Sequence, residues 1–275
     1  MDFGKILLIS DFDFTLTDSD HNIPEANLAA IRRFMEGGGK FCIGTGRGRS
    51  VFAPQLELVE INAPCVISNG AVVYDFAAEK TLQMFEFPPE TVDGVERLML
   101  RYGDRCGLTV ESGYEMYVPA EVTYDFRRAF PRPKNPEASS ERLMKEIPMP
   151  RALPFREIPA PLVKFSFAGT PDLMDALQAE AEAMGVPGIR SLPFMYEYSP
   201  ASKGSSARWL ARELGRPVLA AVGDAPNDLS MLEEADAAFV PVSADPEMLD
   251  RGFHPCAHID QGALADVIRQ LEAMA

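Results

Sequence analysis

Apolar residues follow two rhythms along the chain. Unbroken runs in KILLIS (5–10), KFCIGTG (40–46), CVISNG (65–70), VLAAVGD (218–224) and AAFVPV (237–242) read as short strands covered on both faces. Between them, PEANLAAIRRFMEGGG places Leu28, Ile31, Phe34 and Met35 at helical spacing, with Pro24 near its start and glycines closing it. VFAPQLELVEI (51–61), KGSSARWLARELG (203–215), NDLSMLEEAD (227–236) and the segment from Ala263 read as further helices. Strands alternating with helices predict an α/β fold, a parallel sheet with crossover helices.

The middle of the chain changes rhythm. LTVESG (108–113) and YEMYV (114–118) are adjacent short strands, and LVKFSFAG (162–169) alternates cleanly, which predicts a half-exposed antiparallel sheet. Residues 127–161 are rich in Pro and Arg. The simplest organisation is a discontinuous α/β core, 1–83 and 199–275, interrupted by an α+β insertion at 84–198.

Composition narrows the partners. Apolar residues make up 47% and charged residues 24% of the 275, as in an ordinary soluble domain, while the formal net charge is −15. That charge argues against nucleic acid or an anionic membrane as partner, and it requires local positive charge wherever an anionic substrate binds. Cys42, Cys65, Cys106 and Cys256 are scattered without a C-x-x-C pair, and read as core filling. Neither a leader pattern nor a bilayer-length apolar stretch is visible, so a cytoplasmic location with reduced thiols is expected. The expected assembly is a monomer or weak homodimer.

The chemistry gathers at strand ends, where open parallel sheets bind ligands. Asp11 and Asp13 follow KILLIS, Thr45-Gly46-Arg47 follow KFCIG, Ser68-Asn69-Gly70 follow CVI, and GDAPND (223–228) follows VLAAV. Lys203 opens the helix before that last strand. Singly, each has a plain structural reading: Asn227 or Asp228 alone is more often a helix cap than a ligand. Together, on consecutive strand ends, they converge on one edge.

DFDFTLTD (11–18), TGR (45–47), SNGA (68–71), SKG (202–204) and GDAPNDLSML (223–232) stand in the order and spacing of the haloacid dehalogenase (HAD) superfamily, and QGALADVI (261–268) resembles its closing segment. The chain resembles the Cof-type phosphatase branch, with a large C2-type (IIB) cap. The resemblance implies a Rossmann-like parallel-sheet core with an inserted α+β cap domain, and phosphoryl transfer through an aspartyl-phosphate. By that resemblance Asp11 is the nucleophile and Asp13 the general acid and base. Thr45 and Lys203 bind phosphoryl oxygens, while Gly46, Arg47, Asn69, Gly70 and Asn227 hold substrate. The implied metal ligands are the Asp11 carboxylate, the Asp13 carbonyl and Asp224, with Asp228 as support or occasional ligand. Asp18 reads as a turn or cap residue.

Charge arithmetic favours a cation. Asp11, Asp13, Asp224 and Asp228 contribute −4 when ionised, and a bound phosphate monoester adds about −2. Lys203 and Arg47 return only +2, which leaves a strong repulsion in a low-dielectric site. Mg2+ fits such a set of oxygen ligands. An unperturbed Asp has a pKa of about 3.9, so Asp13 needs neighbouring negative charge to keep a proton near neutrality.

The resulting expectation is a Mg2+-dependent phosphatase of a small phosphate ester, with a sugar phosphate as the leading class. The alternatives are a phosphomutase and a non-hydrolytic phospho-accepting or metabolite-binding regulator. Phe14 departs from the pattern, because the family has glycine after its second Asp and a bulky residue tolerates left-handed backbone poorly. His254, Cys256 and His258 alternate in HPCAH, but no second cluster completes a zinc site. GTGRGR (44–49) is neither G-x-G-x-x-G nor a P-loop. Residues 127–156 hold eight Arg/Lys against three Glu, which is either a solvated face or a guide for anionic substrates.

Overall fold

The computed structural model describes residues 2–130, 132, 134–145, 147 and 149–274. Five parallel strands form the main sheet, in the order His254–Cys256, Ala237–Pro241, Val218–Val222, Ile6–Ser10, Lys40–Ile43. All five residues of Ile6–Ser10 are buried, as an apolar run between two helical layers requires. From Ile6–Ser10 the chain moves outward to Lys40–Ile43. It returns on the other side through Val218–Val222 and the two strands beyond. The order therefore reverses between Ile6–Ser10 and Val218–Val222, the position at which such sheets open a crevice.

Helix Glu25–Glu36 packs with Ala263–Ala273, and Lys203–Glu213 with Leu229–Glu234. Ala30, Ile31 and Phe34 form the buried stripe of the first helix, with Leu28 and Met35 partly buried beside it. The buried Asn27 on the same helix donates to the Leu16 carbonyl (3.1 Å) and accepts from the Ala265 amide (3.0 Å). One amide thus pins the end of the Asp11 loop to the start of the last helix. Strand Cys65–Ile67 joins the sheet through a single parallel bridge, Gly44 to Val66. It then leads into an antiparallel hairpin, Val72–Asp75 and Lys80–Met84.

The predicted helix over 51–61 is broken: Arg49–Phe52 runs into a 3-10 turn, Ala53–Glu57, and stops. Pro54 lacks the N–H that a continuing helix would use.

The inserted part builds a six-stranded sheet ordered Ile189–Leu192, Met195–Tyr198, Leu162–Ala168, Gly107–Ser112, Glu115–Pro119, Arg151–Leu153, antiparallel except for its last pair. Its own hydrophobic cluster joins Phe165 and Phe167 to Val95 and Leu98 of helix Pro89–Tyr102 and Leu177 of helix Pro171–Ala183. LVKFSFAG is not half-exposed: every residue of Leu162–Ala168 except Leu162 is buried. The alternation is real, but its polar face, with Lys164 and Ser166, lies against loops of the main sheet instead of water. Among the described residues no helix is long and apolar enough to cross a membrane.

Candidate active site

The Asp11 amide donates to the Val222 carbonyl (2.9 Å), extending the parallel ladder one residue beyond the strand. The chain then swings through a wide turn, Phe12–Leu16, closed by the Thr17 amide on the Phe12 carbonyl (3.0 Å). Buried Phe12 anchors that turn edge-on against Phe52, at 5.6 Å between ring centroids. Phe14 takes the left-handed conformation (φ 56°, ψ 19°) that glycine would favour. That costs a non-glycine residue about 1–2 kcal/mol. Its amide donates to Thr17 Oγ1 (3.0 Å), and its half-exposed ring meets His21 edge-on at 4.8 Å. The side chain is therefore carried at the mouth of the site, and the loop keeps a glycine-like backbone. Asp18 is the turn residue expected, accepting from the amides of Asp20 and Asn22 (both 2.9 Å).

Asp11, Asp224 and Asp228 each offer a carboxylate oxygen within 4.8 Å of the others, the only such three-residue group of metal-capable side chains among the described residues. Lys203 enters from the first turn of its helix, where Ser202 and Ser205 form a capping box. Its fully buried ammonium donates to Asp11 Oδ1 (2.8 Å) and Asp228 Oδ1 (2.6 Å). Burial alone would push this lysine down, and the two carboxylates outweigh it and hold it charged. Asp228 Oδ2 accepts from the amides of Asp224 (3.1 Å) and Ala225 (3.2 Å), so Asp228 caps its turn and positions Lys203 at once. Asp224 Oδ1 accepts from Thr15 Oγ1 at 2.5 Å.

Burial, and then repulsion from Asp228, lifts the Asp11 carboxyl to about 7 against the pull of Lys203. Asp224 is raised well above the carboxylate range by burial and by Asp228 and Asp11. Ionising all three acids around one lysine would leave unbalanced negative charge. A cluster of hard oxygen donors in that state suits a hard divalent cation.

Asp13 stands apart from this corner. Its carboxylate takes both prongs of Arg47, with Nε on Oδ2 (2.8 Å) and Nη2 on Oδ1 (2.6 Å). The expected neighbour was negative charge; the structure supplies a guanidinium, because Arg47 lies over the Phe12 ring (5.1 Å) and is aimed back at the loop. Arg47 Nη1 also reaches Met144 Sδ (3.1 Å), on helix Ser139–Met144 of the insertion. The buried Thr45 accepts the Arg47 amide on Oγ1 (3.1 Å), which leaves its hydroxyl proton to donate elsewhere.

The other expected substrate-holding residues are brought close but engaged differently. The buried Asn69 donates to Glu197 Oε2 (3.1 Å), and its Oδ1 accepts from Asn227 Nδ2 (3.3 Å), so both ends of its amide are committed to protein. Gly70 (φ 100°) is required sterically, because a Cβ there would stand 2.2 Å from the Ser202 carbonyl oxygen. The Gly46 carbonyl accepts from Lys164. Lys164, Glu197 and Glu111 were not found by sequence reasoning, since a charged residue on the polar face of an alternating strand reads as solvated.

Two further features resolve. In HPCAH, His254 packs on Phe239 (5.4 Å), His258 Nδ1 accepts the Asp260 amide (3.2 Å), and Cys256 is buried, so each has a separate job. Of the basic residues in 127–156, Arg127, Lys145, Arg151 and Arg156 sit in ion pairs with nearby acids. Glu146 lies outside the described residues.

Known proteins share both the sequence pattern and the architecture. Phosphatase YwpJ of Bacillus subtilis (strain 168) is 27% identical over 257 residues, covering 83% of this chain and 86% of its own. YxeH of the same organism is 24% identical over 285 residues, covering 96% and 97%. A haloacid dehalogenase-like hydrolase from B. subtilis superposes with a TM-score of 0.79 at 22% identity, over 96% of this chain and 99% of that one. The HAD subclass IIB sugar phosphatase BT4131 superposes with a TM-score of 0.77 at 17% identity, over 97% and 98%. At such identities the superpositions speak for the fold alone. The sequence model for haloacid dehalogenase-like hydrolases matches residues 8–268, nearly the whole chain, and the protein belongs to that family.

Proposed function

We propose that the protein is a Mg2+-dependent phosphatase of a small phosphorylated metabolite, with a sugar phosphate as the leading class, acting through a phosphorylated Asp11. The observation that carries this reading is the buried Lys203 held between Asp11 and Asp228, with Asp224 in reach of both, at the switch point of the sheet. The similarity to phosphatase YwpJ and to a sugar phosphatase of the same fold supports the substrate class.

In this reading an Asp11 oxygen attacks phosphorus and the ester oxygen departs, taking a proton from Asp13. Asp13 then removes a proton from water, which attacks the acyl phosphate, releases inorganic phosphate and restores Asp11. Thr45 and Lys203 receive the phosphoryl oxygens, and Lys203 also holds Asp11 in line. The Asp11 and Asp224 carboxylates and the Asp13 carbonyl would hold Mg2+, with Asp228 in support; the ion supplies charge neutralisation and polarisation of the phosphoryl group. Residues 1–83 and 199–275 serve as the catalytic unit in the cytoplasm, and 84–198 as the cap that selects the leaving group. The insertion's own hydrophobic cluster, drawn entirely from residues within 84–198, supports that division, although Val163, with Met84 and Tyr114, packs on the main cluster.

The test is a panel of phosphorylated sugars, polyols, nucleotides and cofactors assayed with Mg2+, comparing wild type with Asp11→Asn. Release of phosphate by wild type, reduced by at least about 10³-fold in Asp11→Asn, is expected. Equal release by the two proteins would overturn the assignment. Release without an activating bisphosphate separates a phosphatase from a phosphomutase.

A further inference from the structure

The turn Ser68–Gly70 has three successive left-handed residues, Ser68 (φ 52°), Asn69 (φ 54°) and Gly70 (φ 100°). Two of them are not glycine, and such backbone persists only where its surroundings over-determine it. Here part of those surroundings comes from the inserted sheet, through Glu111 and Glu197, and part from the chain that follows it, through Ser199 and Ser206. Ser68 Oγ donates to Glu111, Asn69 Nδ2 donates to Glu197, and Ser199 Oγ donates to the carbonyls of Ser68 (3.2 Å) and Asn69 (3.3 Å).

Lys164 stands between the two carboxylates. Its ammonium bonds Glu197 Oε1 (2.7 Å), lies 3.9 Å from Glu111 Oε1 and donates to the Gly46 carbonyl. Adjacent strands set this group in register, with Glu111 opposite Lys164 and Ser166 opposite Glu197. Ser166 Oγ adds a bond to Glu197 Oε1 (2.9 Å). The cluster has one cation for two acids, with Lys164 and Glu197 buried and Glu111 partly so, and Lys164 is therefore already balanced and is not a second phosphate ligand.

The turn in its turn holds the loop that carries Thr45 and Arg47. The Asn69 amide donates to the Thr45 carbonyl (3.1 Å), and the Ser68 amide donates to the Arg47 carbonyl (3.0 Å). Two loops of the main sheet are therefore tied to each other, and both are tied to one buried cluster on the insertion.

We propose that Lys164 and Glu197, assisted by Glu111, are positioning residues of the phosphoryl site. They lock the Thr45–Arg47 and Ser68–Gly70 loops into one geometry, so the inserted sheet forms part of the catalytic frame. This rests on the phosphatase reading, in which Thr45 receives a phosphoryl oxygen.

The experiment compares Lys164→Met, Glu197→Gln, the double variant and Asn69→Gly with wild type and Asp11→Asn. It measures kcat and KM well below each melting temperature, and amide hydrogen exchange by mass spectrometry. Each single variant should lower kcat at least tenfold with KM changed less than threefold, and the double variant should be no worse than the worse single. Asn69→Gly is the discriminating case, because glycine accepts the left-handed backbone while the tie to Glu197 is lost; its melting temperature should hold while kcat falls. Exchange should rise in both 44–48 and 66–71 in Lys164→Met. If wild type turns over and Lys164→Met keeps kcat within twofold, the positioning role is wrong and the phosphatase reading stands. If wild type shows no Asp11-dependent release, that reading falls and exchange alone decides the locking, with unchanged exchange refuting it.

Discussion

Asp11→Asn should stabilise the protein in the absence of metal, and by an amount that grows with pH. The native Asp11 carboxyl keeps its proton up to about 7, whereas an unfolded Asp releases it near 3.8. Between those values the native state binds more protons than the unfolded one, so stability falls as pH rises through the window. A shift of about three pH units corresponds to about 4 kcal/mol at most. Asparagine is close to isosteric, can still accept from Lys203, and carries no charge toward Asp228 and Asp224. In a chelator, urea unfolding should find the variant equal to wild type near pH 4 and about 2–4 kcal/mol more stable near pH 8. Adding Mg2+ at pH 8 should reverse the ranking, since wild type gains binding energy that the variant largely loses. A difference independent of pH, or a variant less stable at pH 8 in chelator, would refute the account of this cluster.

Substitutions at three other positions test separate parts of the site. Phe14→Gly should change stability by less than about 1 kcal/mol in urea, because relief of the left-handed backbone offsets glycine's extra freedom when unfolded, whereas β-branched Phe14→Val should destabilise by about 2 kcal/mol. Gly70→Ala should lose more than about 3 kcal/mol or fail to fold, since its methyl would meet the Ser202 carbonyl at 2.2 Å; a melting temperature near that of wild type would disprove the packing. Arg47→Lys keeps the charge but not the fork on Asp13, and should lower kcat/KM about tenfold or more with little change in melting temperature.

Much of the main unit was legible because its signals are local. An apolar run such as ILLI has no stable place except a covered strand, and the acids directly after it had to lie at the sheet edge. Helix Glu25–Glu36 declared itself through one stripe of apolar positions. The break within 51–61 is masked in sequence because helical apolar spacing continues through Pro54. What stayed hidden was which polar groups find each other across more than a hundred residues. Lys164 bonding the Gly46 carbonyl and Glu197 bonding Asn69 depend on how the insertion folds back. A polar face against water and one against another loop look alike in sequence. Arg47 shows the same limit: its presence in the site was legible, but its partner was not.

That partner redistributes the charge of the site. Counted from sequence, Lys203 and Arg47 stood together against four acids. In the structure the charges divide into two corners. Asp11, Asp224, Asp228 and Lys203 form one that is negative once its acids ionise, while Asp13 and Arg47 form another that is balanced. A divalent cation can neutralise the first corner without help from Arg47. In the proposed reaction, a phosphate dianion arriving afterwards would find a second counter-charge by drawing Arg47 away from Asp13. Asp13 would then lose the two-pronged bond that now occupies both of its carboxylate oxygens. Arg47→Lys is the substitution that probes this exchange, since a lysine can pair with either anion but cannot hold Asp13 by two parallel bonds.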